Sequence, residues 1–484
     1  MPAPEGTPAI VVIGGGITGL AAAWELVGGA GAGGARVEVL EAADVPGGKL
    51  QAVRIGDRCV DVAADSFVAR RPEATDLATE LGIADEVVEV AASGASVYAR
   101  GRLRPLPAGL ALGVPTRWWP LARSGILPPL GSLRAGLDLV RPGRSRPPAS
   151  GPVPDRPVGD VVGARLGRAV AARPAAPVIG GINAGSVDRL SSAAAFPGLL
   201  AAAARGGSLM RALRPPVHAS GQPAAPAARA MFATVRGGTS ALASRLAGAL
   251  AEHGAVVRTG TRVTGLAATG SGWRVELAAG QPLDVDGVVL ALPAPAAAGL
   301  LAGPVPGAGA LLAGVDYASV SIVTLTWPEA GVPTPLTGTG FLVPRSTRLC
   351  GRAALVTGCT YLDRKWPDLA RPGEVLLRAS VGRFGDDRDG AMDDGELVGR
   401  VAAELTAVLG LTGGPLDAVV TRWHGALPQY RPGHVERLAA LQREVAAAGT
   451  LAIAGAYVGG VGIPACIGTG RGAARRVRDA LAAR

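Results

Sequence analysis

Ala9-Ile10-Val11-Val12-Ile13-Gly14-Gly15-Gly16-Ile17-Thr18-Gly19, continued by Leu20-Ala21-Ala22-Ala23-Trp24-Glu25-Leu26, decides how the rest of the chain is read. The first five residues are an apolar, β-branched run of strand character that breaks abruptly into glycine before residues of helical composition begin. Strand, glycine turn and helix in that order make a phosphate site. Gly14 permits the tight turn, Gly16 lets a pyrophosphate approach the backbone, and Gly19 lets the helix lie close on the strand. The free N–H groups of the first helical turn, where Thr18 sits, then face the anion. A second strand, Arg36-Val37-Glu38-Val39-Leu40, delivers Glu41 22 positions after Gly19, the place where an acid holds a ribose hydroxyl. The stretch therefore predicts the opening βαβ unit of a dinucleotide-binding domain, with Gly15 completing the triplet.

Beyond Glu41, Asp44-Val45-Pro46-Gly47-Gly48-Lys49 adds a second glycine pair and a cation. Simple nicotinamide dehydrogenases do not usually carry this extension. It resembles the FAD-binding signature of the amine oxidase and porphyrinogen oxidase superfamily, in which the Gly-Gly-Arg/Lys turn lies beside the cofactor. The likeness narrows at Asp65-Ser66-Phe67-Val68-Ala69-Arg70-Arg71-Pro72 and Leu77-Ala78-Thr79-Glu80-Leu81-Gly82-Ile83, which resemble the protoporphyrinogen and coproporphyrinogen oxidase family. The resemblance implies that the turn before Asp65 approaches the flavin and that Arg70 and Arg71 contact substrate propionates. The family's Glu-x-Gly-Pro before the aspartate is here Asp61-Val62-Ala63-Ala64.

Further blocks follow in the family's order. Gly181-Ile182-Asn183-Ala184-Gly185 through Leu190-Ser191, then Phe196-Pro197 and Gly207-Ser208-Leu209, look like the wall of a tetrapyrrole cavity, with Asn183 standing where the family has tyrosine. A helix from Gly237-Gly238, a strand from Arg262 to Leu266 and a strand ending Leu290-Ala291-Leu292-Pro293 resemble the segments that return to the nucleotide domain and touch the adenosine with backbone at Val263. Ser319 to Thr326 alternates polar and apolar residues, which predicts a half-buried strand of an antiparallel sheet. Gly340 to Pro344, Leu355 to Tyr361, Lys365-Trp366-Pro367 and the Leu376-Leu377-Arg378-Ala379-Ser380-Val381-Gly382-Arg383 run continue the likeness to the substrate lobe, and Tyr361 and Lys365 are its candidate substrate and catalytic residues. Trp423-His424 through Ala426-Leu427-Pro428-Gln429-Tyr430 to His434 is the most specific block outside the glycine turn. His424 or His434 is its candidate proton acceptor, because imidazole titrates near neutrality, and a structural role for both is the competing reading. Finally Leu451-Ala452-Ile453-Ala454-Gly455 and Gly459 through Gly462-Ile463-Pro464 repeat the strand, glycine and helix pattern. A helix N-terminus there suits the flavin ring end of FAD.

The composition bounds the rest. With 484 residues, 48% of them hydrophobic, the chain builds a large core in several lobes. Lys49 and Lys365 are the only lysines, so the net charge of +10 reflects a pervasive arginine preference. It carries no basic run interleaved with aromatics, which excludes nucleic acid as the partner. Cys59, Cys350, Cys359 and Cys466 have no metal spacing and are expected as buried small residues of a reducing cytoplasm. Met1 to Gly6 lacks a signal-peptide pattern, and the alanine-rich Ala193 to Ala204 window, broken by Pro197, is too short to cross a bilayer. Trp118-Trp119 beside Arg117 and Arg123 reads as lobe core or as a headgroup contact, and Arg141 to Pro157 reads as a linker.

The expected fold is α/β (α+β): a discontinuous Rossmann-like FAD-binding domain (1–90, 225–300 and 441–484), a helical lobe (91–224) and a mixed-sheet substrate domain (301–440). The resemblance implies an FAD-dependent oxidase that converts coproporphyrinogen III to coproporphyrin III in heme synthesis. Six electrons leave in three two-electron steps, oxygen is the acceptor and hydrogen peroxide is formed. It also implies a cytoplasmic protein with at most peripheral contact at the inner membrane face and a transient contact with the next enzyme of the pathway. The surplus arginine and the Lys-Trp-Pro block favour the tetracarboxylate coproporphyrinogen over protoporphyrinogen IX. A flavin amine oxidase or desaturase, and a tetrapyrrole-binding protein without turnover, are the competing readings.

Overall fold

The computed structural model describes residues 7–28, 34–140, 153–214 and 231–484. The opening Met1 to Gly6 and the linker from Arg141 to residue 152 lie outside them. Five parallel strands form one sheet in the order Val256–Arg258, Arg36–Leu40, Ala9–Ile13, Gly287–Leu290, Leu451–Ile453. All of Ala9–Ile13 is buried, as a central parallel strand covered on both faces must be. Ile10 and Val12 pack under helices Ile17–Val27, Thr239–Glu252 and Ile463–Ala482. Val11 and Ile13 point to the other face, covered by the antiparallel meander Val263–Ala268, Trp273–Leu277, Leu283–Val285 and helices Ala294–Leu301 and Pro306–Ala313. Helices Ile17–Val27 and Ile463–Ala482 touch so closely that a Cβ on Gly470 would stand 2.1 Å from the Thr18 carbonyl oxygen. That contact binds the last segment of the chain to the first.

A second, seven-stranded sheet runs Asp417–Pro428, Tyr317–Pro328, Glu374–Val381, Val356–Tyr361, Gly340–Leu342, Ser96–Ala99, Arg102–Pro105. Its pairs are antiparallel except Gly340–Leu342 with Ser96–Ala99. The last two strands belong to the 91–224 segment read as helical. They join this sheet because Val97 and Ala99 point into the core of the helical lobe while Tyr98 between them packs on the core of the opposite face, the period of a strand. Apart from the antiparallel ribbon of Leu110–Ala111 with Val114–Pro115, the described remainder of that segment is mainly helical, around a core that includes Leu121, Val162, Leu166, Ile179 and Leu199. The strand expected to be half-buried is instead closed on both faces from Ser321 to Trp327. Val323 and Leu325 pack under helix Asp394–Leu409, while Val320 and Ile322 face the cavity described below.

The cysteines divide rather than all being buried: Cys359 and Cys466 are inside, Cys59 and Cys350 exposed. Cys59 takes the one outward position of Arg58–Asp61, and Cys350 sits in a turn at φ 49. The tryptophan pair also divides. Trp118 is half-buried and its Nε1 donates to the Ser132 carbonyl at 2.8 Å, whereas Trp119 is exposed with the Arg123 guanidinium 5.1 Å above its ring. Among the described residues no helix is long and apolar enough to cross a membrane.

Candidate functional site

The two glycine turns and the two helix starts meet in one place. The Ile17–Val27 helix begins at Gly16 with no side-chain cap, so its first N–H groups are free for a ligand. Gly14 holds φ 105, and a Cβ there would lie 2.6 Å from the Ala291 carbonyl oxygen. Gly19 is pressed harder still, with a Cβ only 1.8 Å from the Gly14 carbonyl oxygen. At Gly16 the nearest atom to an added Cβ is Gly48 Cα at 3.8 Å, so the packing of the protein leaves an open space there that a ligand approaching the backbone would use. Gly47 N donates to the Gly15 carbonyl at 2.8 Å, which lays the second glycine pair against the first. The Glu41 carboxylate accepts from Gly15 N at 2.7 Å and from Ala43 N at 2.8 Å. That leaves its remaining lone pairs available to hydroxyl donors. At the far end of the groove helix Ile463–Ala482 starts at Gly462, again without a side-chain cap or an acid in its first turn.

Gly14, Gly16, Thr18, Glu41, Gly47, Gly48, Lys49, Gly455, Gly462, Ile463 and Pro464 all line a single cavity of about 2040 Å³. Gly15 and Gly19 support it from behind. Lys49 reaches this groove, and burial by the surrounding protein lowers its ammonium pKa. Val263 stands off the wall in the meander, beside a register shift between Val263 and Gly265. The wall suits a dinucleotide: two uncapped helix ends, an acid at the second strand and an unfilled space at Gly16.

The other candidates from the sequence fall elsewhere. Arg70 and Arg71 are exposed and off the wall. Arg71 precedes helix Pro72–Glu80 and pairs with Glu73 in its first turn at 2.5 Å. Asn183 is buried at the end of its helix, where its Nδ2 donates to the Ile179 carbonyl at 3.0 Å. The Asn183 carbonyl in turn accepts from Gln429 Nε2 at 2.8 Å. Tyr361 is 2% exposed, its ring centroid 6.2 Å from that of Phe341 in the sheet core, and burial pushes its phenol pKa up. His424 is exposed and borders a separate depression of about 100 Å³ with Ser319 and Asp389. Lys365 lies just behind the wall. Its Nζ donates to both Asp65 oxygens at 3.0 and 2.9 Å and to Ser66 Oγ at 2.9 Å.

Asp65 is thus the centre of a buried cluster that also receives Arg378 at 3.1 Å and Trp366 Nε1 at 3.1 Å. Burial alone would raise its carboxyl pKa, but the charges of Arg378 and Lys365 outweigh it and hold the group far below the usual carboxylate range. The cluster fixes the Ala63, Ala64, Asp65 and Ser66 turn on the cavity wall. The Trp423 to His434 block acts in a similar way. Trp423 Nε1 donates to the Val62 carbonyl at 2.9 Å and Tyr430 OH to the Ala456 carbonyl at 2.6 Å. His434 Nε2 lies 2.9 Å from the Tyr457 carbonyl, with burial lowering the imidazole pKa. This most specific stretch of sequence braces segments far apart in the chain, and its Trp423, Ala426 and Leu427 also line the cavity.

The guanidiniums on the wall are Arg156, Arg168, Arg345, Arg378 and Arg383, none of which the motif reading selected. Arg378 and Arg383 stand five apart in one strand run, a spacing that alternation would send to opposite faces. The strand ends at Val381, and Gly382 at φ 85 turns the chain so that both reach the cavity.

Residues 17–478 match the family model of flavin-containing amine oxidoreductases. The chain is 34% identical to the coproporphyrinogen III oxidase of Bacillus subtilis (strain 168), covering 99% of this chain and 98% of that one. It is 35% identical to the coproporphyrinogen III oxidase of Propionibacterium freudenreichii subsp. freudenreichii, covering 98% and 91%. A crystal structure of a protein described as a putative protoporphyrinogen oxidase, from Exiguobacterium sp. 255-15, superposes with a TM-score of 0.84 at 28% identity over 100% of both chains.

Proposed function

The chain belongs to the flavin-containing amine oxidoreductase family, and from that premise we propose that it oxidises coproporphyrinogen III to coproporphyrin III, with oxygen as acceptor and hydrogen peroxide as the second product. The observation that carries this reading is the continuous cavity of about 2040 Å³, roughly twice the upper end of the 300–1,000 Å³ that one ligand occupies. One end has the uncapped helix starts, Glu41 and the paired glycine turns that suit FAD, and the other end is walled by the seven-stranded sheet and the helical lobe. FAD, when bound, supplies the hydride acceptor.

The chain's own contribution is positioning and electrostatics. Gly14, Gly16 and Glu41 fix the nucleotide half, and the N–H groups of the helix beginning at Ile463 offer partial positive charge to the opposite half. The turn from Ala63 to Ser66, held by the Asp65 cluster, sets the wall against which both ligands rest. Apolar Val320, Ile322, Phe341 and Leu342 give a macrocycle a flat, dry surface. The wall guanidiniums other than Arg378, which Asp65 already pairs, supply counter-charges for carboxylates, which supports a tetracarboxylate substrate. We infer a cytoplasmic location with at most peripheral membrane contact, and transfer of product to the next enzyme of heme synthesis.

Purified protein loaded with FAD is given coproporphyrinogen III and protoporphyrinogen IX in separate air-equilibrated assays, and porphyrin fluorescence and peroxide are followed. Faster appearance of coproporphyrin with matching peroxide is expected. No acceleration over the protein-free rate with either substrate refutes an oxidase, and a preference for protoporphyrinogen IX moves the substrate assignment.

A further inference from the structure

The cavity wall where the seven-stranded sheet meets the helical lobe carries a positive charge that the protein leaves unbalanced. Phe384 N donates to the Ala184 carbonyl at 2.7 Å, which closes the two lobes there and sets Arg383 on the wall. Arg383 is 8% exposed; its Nη2 donates to the Ala354 carbonyl at 3.4 Å, and its Nε has no hydrogen-bond partner among the described residues. The nearest carboxylate is Asp386, 3.7 Å from that Nε. Asp386 is already taken by Arg388, which donates to its two oxygens at 2.7 and 2.8 Å. Glu404 is committed to Leu355 N, Val356 N and Arg400, and Asp389 accepts from Ser321 Oγ at 2.7 Å.

Arg345 lines the same wall, and among the described residues its guanidinium donates only to the Phe384 carbonyl, at 3.3 Å from both terminal nitrogens. Burial first, and then the charge of Arg345, depress the pKa of Arg383. Two guanidiniums held together against repulsion, one of them nearly desolvated with an idle donor, need an anion to complete them. Arg156, Arg168, Asp160 and Asp188 from the helical lobe also line the cavity, and the Arg189 and Arg431 guanidiniums lie 5.7 and 5.5 Å from the Phe384 ring centroid, which adds cationic charge beside Arg345 and Arg383.

Resting on the proposed porphyrinogen oxidation, we propose that Arg345 and Arg383 form a carboxylate-binding pole for the substrate and select the macrocycle by its number of propionates. Coproporphyrinogen III presents carboxylates on all four rings, whereas protoporphyrinogen IX carries uncharged vinyl groups on two of them. A macrocycle whose apolar face lies on the sheet therefore brings a carboxylate to this pole in more orientations when it has four.

The test uses Arg345→Gln, whose side chain is exposed and touches only a backbone carbonyl, and Arg383→Lys, with Arg348→Gln as a control off the cavity wall. Equilibrium binding of the products coproporphyrin III and protoporphyrin IX is read by fluorescence quenching in FAD-loaded protein, beside steady-state KM and kcat for both porphyrinogens. R345Q is expected to weaken coproporphyrin III binding about tenfold and protoporphyrin IX binding less than threefold, with KM for coproporphyrinogen III rising more than kcat falls. R383K is expected to weaken binding less than R345Q, because it keeps the charge. Unchanged coproporphyrin III binding in R345Q that retains the wild-type melting temperature and flavin content overturns the proposal, and equal weakening of both porphyrins overturns its selectivity. Wild-type protein that oxidises neither porphyrinogen refutes the proposed function instead, a result distinguishable from failure of the pole.

Discussion

Replacing Asp65 by asparagine keeps the shape of the buried cluster and removes its only negative charge. Lys365 and Arg378 are then left facing one another at a site where Asp65 is 7% and Lys365 8% exposed. Stripping a buried ion pair of one partner costs about 3–5 kcal/mol, and here one carboxylate serves two cations, so D65N belongs in the upper part of that range. Lys365→Met is milder. It deletes the donations to both Asp65 oxygens and to Ser66 but leaves Asp65 and Arg378 as a neutral pair at 3.1 Å. Its cost is about 2 kcal/mol, the worth of hydrogen bonds to a charged group. In the double variant one of the two uncompensated cations is gone, so its loss is smaller than the sum of the singles by about 1–2 kcal/mol.

Urea unfolding of the FAD-loaded proteins followed by far-ultraviolet circular dichroism gives the order wild type, K365M, D65N in falling midpoint. The folded-state pKa of Asp65 is lowered. Its contribution is therefore fully present above the unfolded carboxyl value of about 3.9 and is lost as pH falls through the lower folded value. The gap between wild type and D65N stays constant from pH 8 to pH 5 and shrinks only below about pH 4. A D65N midpoint at or above that of K365M, or a double variant as unstable as the summed singles, refutes the charge accounting.

Gly16→Ala and Gly19→Ala separate cofactor space from protein packing. G16A, with no atom nearer than 3.8 Å to its methyl, folds and retains at least tenfold less flavin on gel filtration, whereas G19A, 1.8 Å from a carbonyl oxygen, does not accumulate as folded protein. Glu41→Gln points an amide N–H at either Gly15 N or Ala43 N, both of which now donate to the carboxylate. FAD affinity by titration of the apoprotein falls about tenfold, ~1.4 kcal/mol. His434 is buried, with Nδ1 unpartnered among the described residues, and burial lowers its folded pKa. The stability of its neutral form is fully present above the unfolded value of about 6.5 and is lost as pH falls through the folded value. Wild type therefore loses stability relative to H434Q below about pH 6.5, and parallel pH profiles of the two melting temperatures contradict this.

The cofactor half of the molecule was open to reading from residue types because its determinants are local. A glycine that must turn, a glycine that a helix start must crowd and an acid at the next strand end each depend on neighbours within about a turn of chain, and Gly14, Gly16 and Glu41 stand together on one wall. The likeness of ordered blocks carried the chain to its family for the same reason. The other end of the cavity depends on distant contacts. Tyr361 and Lys365 are chemically distinctive residues in matching motifs, yet the sheet register turns Tyr361 into the core and the Asp65 carboxylate, 300 positions away, claims Lys365. Arginines are so common in this composition that Arg345 and Arg383 carried no signal, and strand alternation pointed away from the pair Arg378 and Arg383 until Gly382 reversed it.

The sequence by itself determined the nucleotide cradle and the family, since both rest on short-range backbone requirements that only certain residues satisfy. Tertiary structure alone decided which charges face the cavity. A side chain's exposure and its counter-ion are set by segments that meet across hundreds of residues, and the electrostatic energy of a guanidinium depends on whether a distant carboxylate has already been taken.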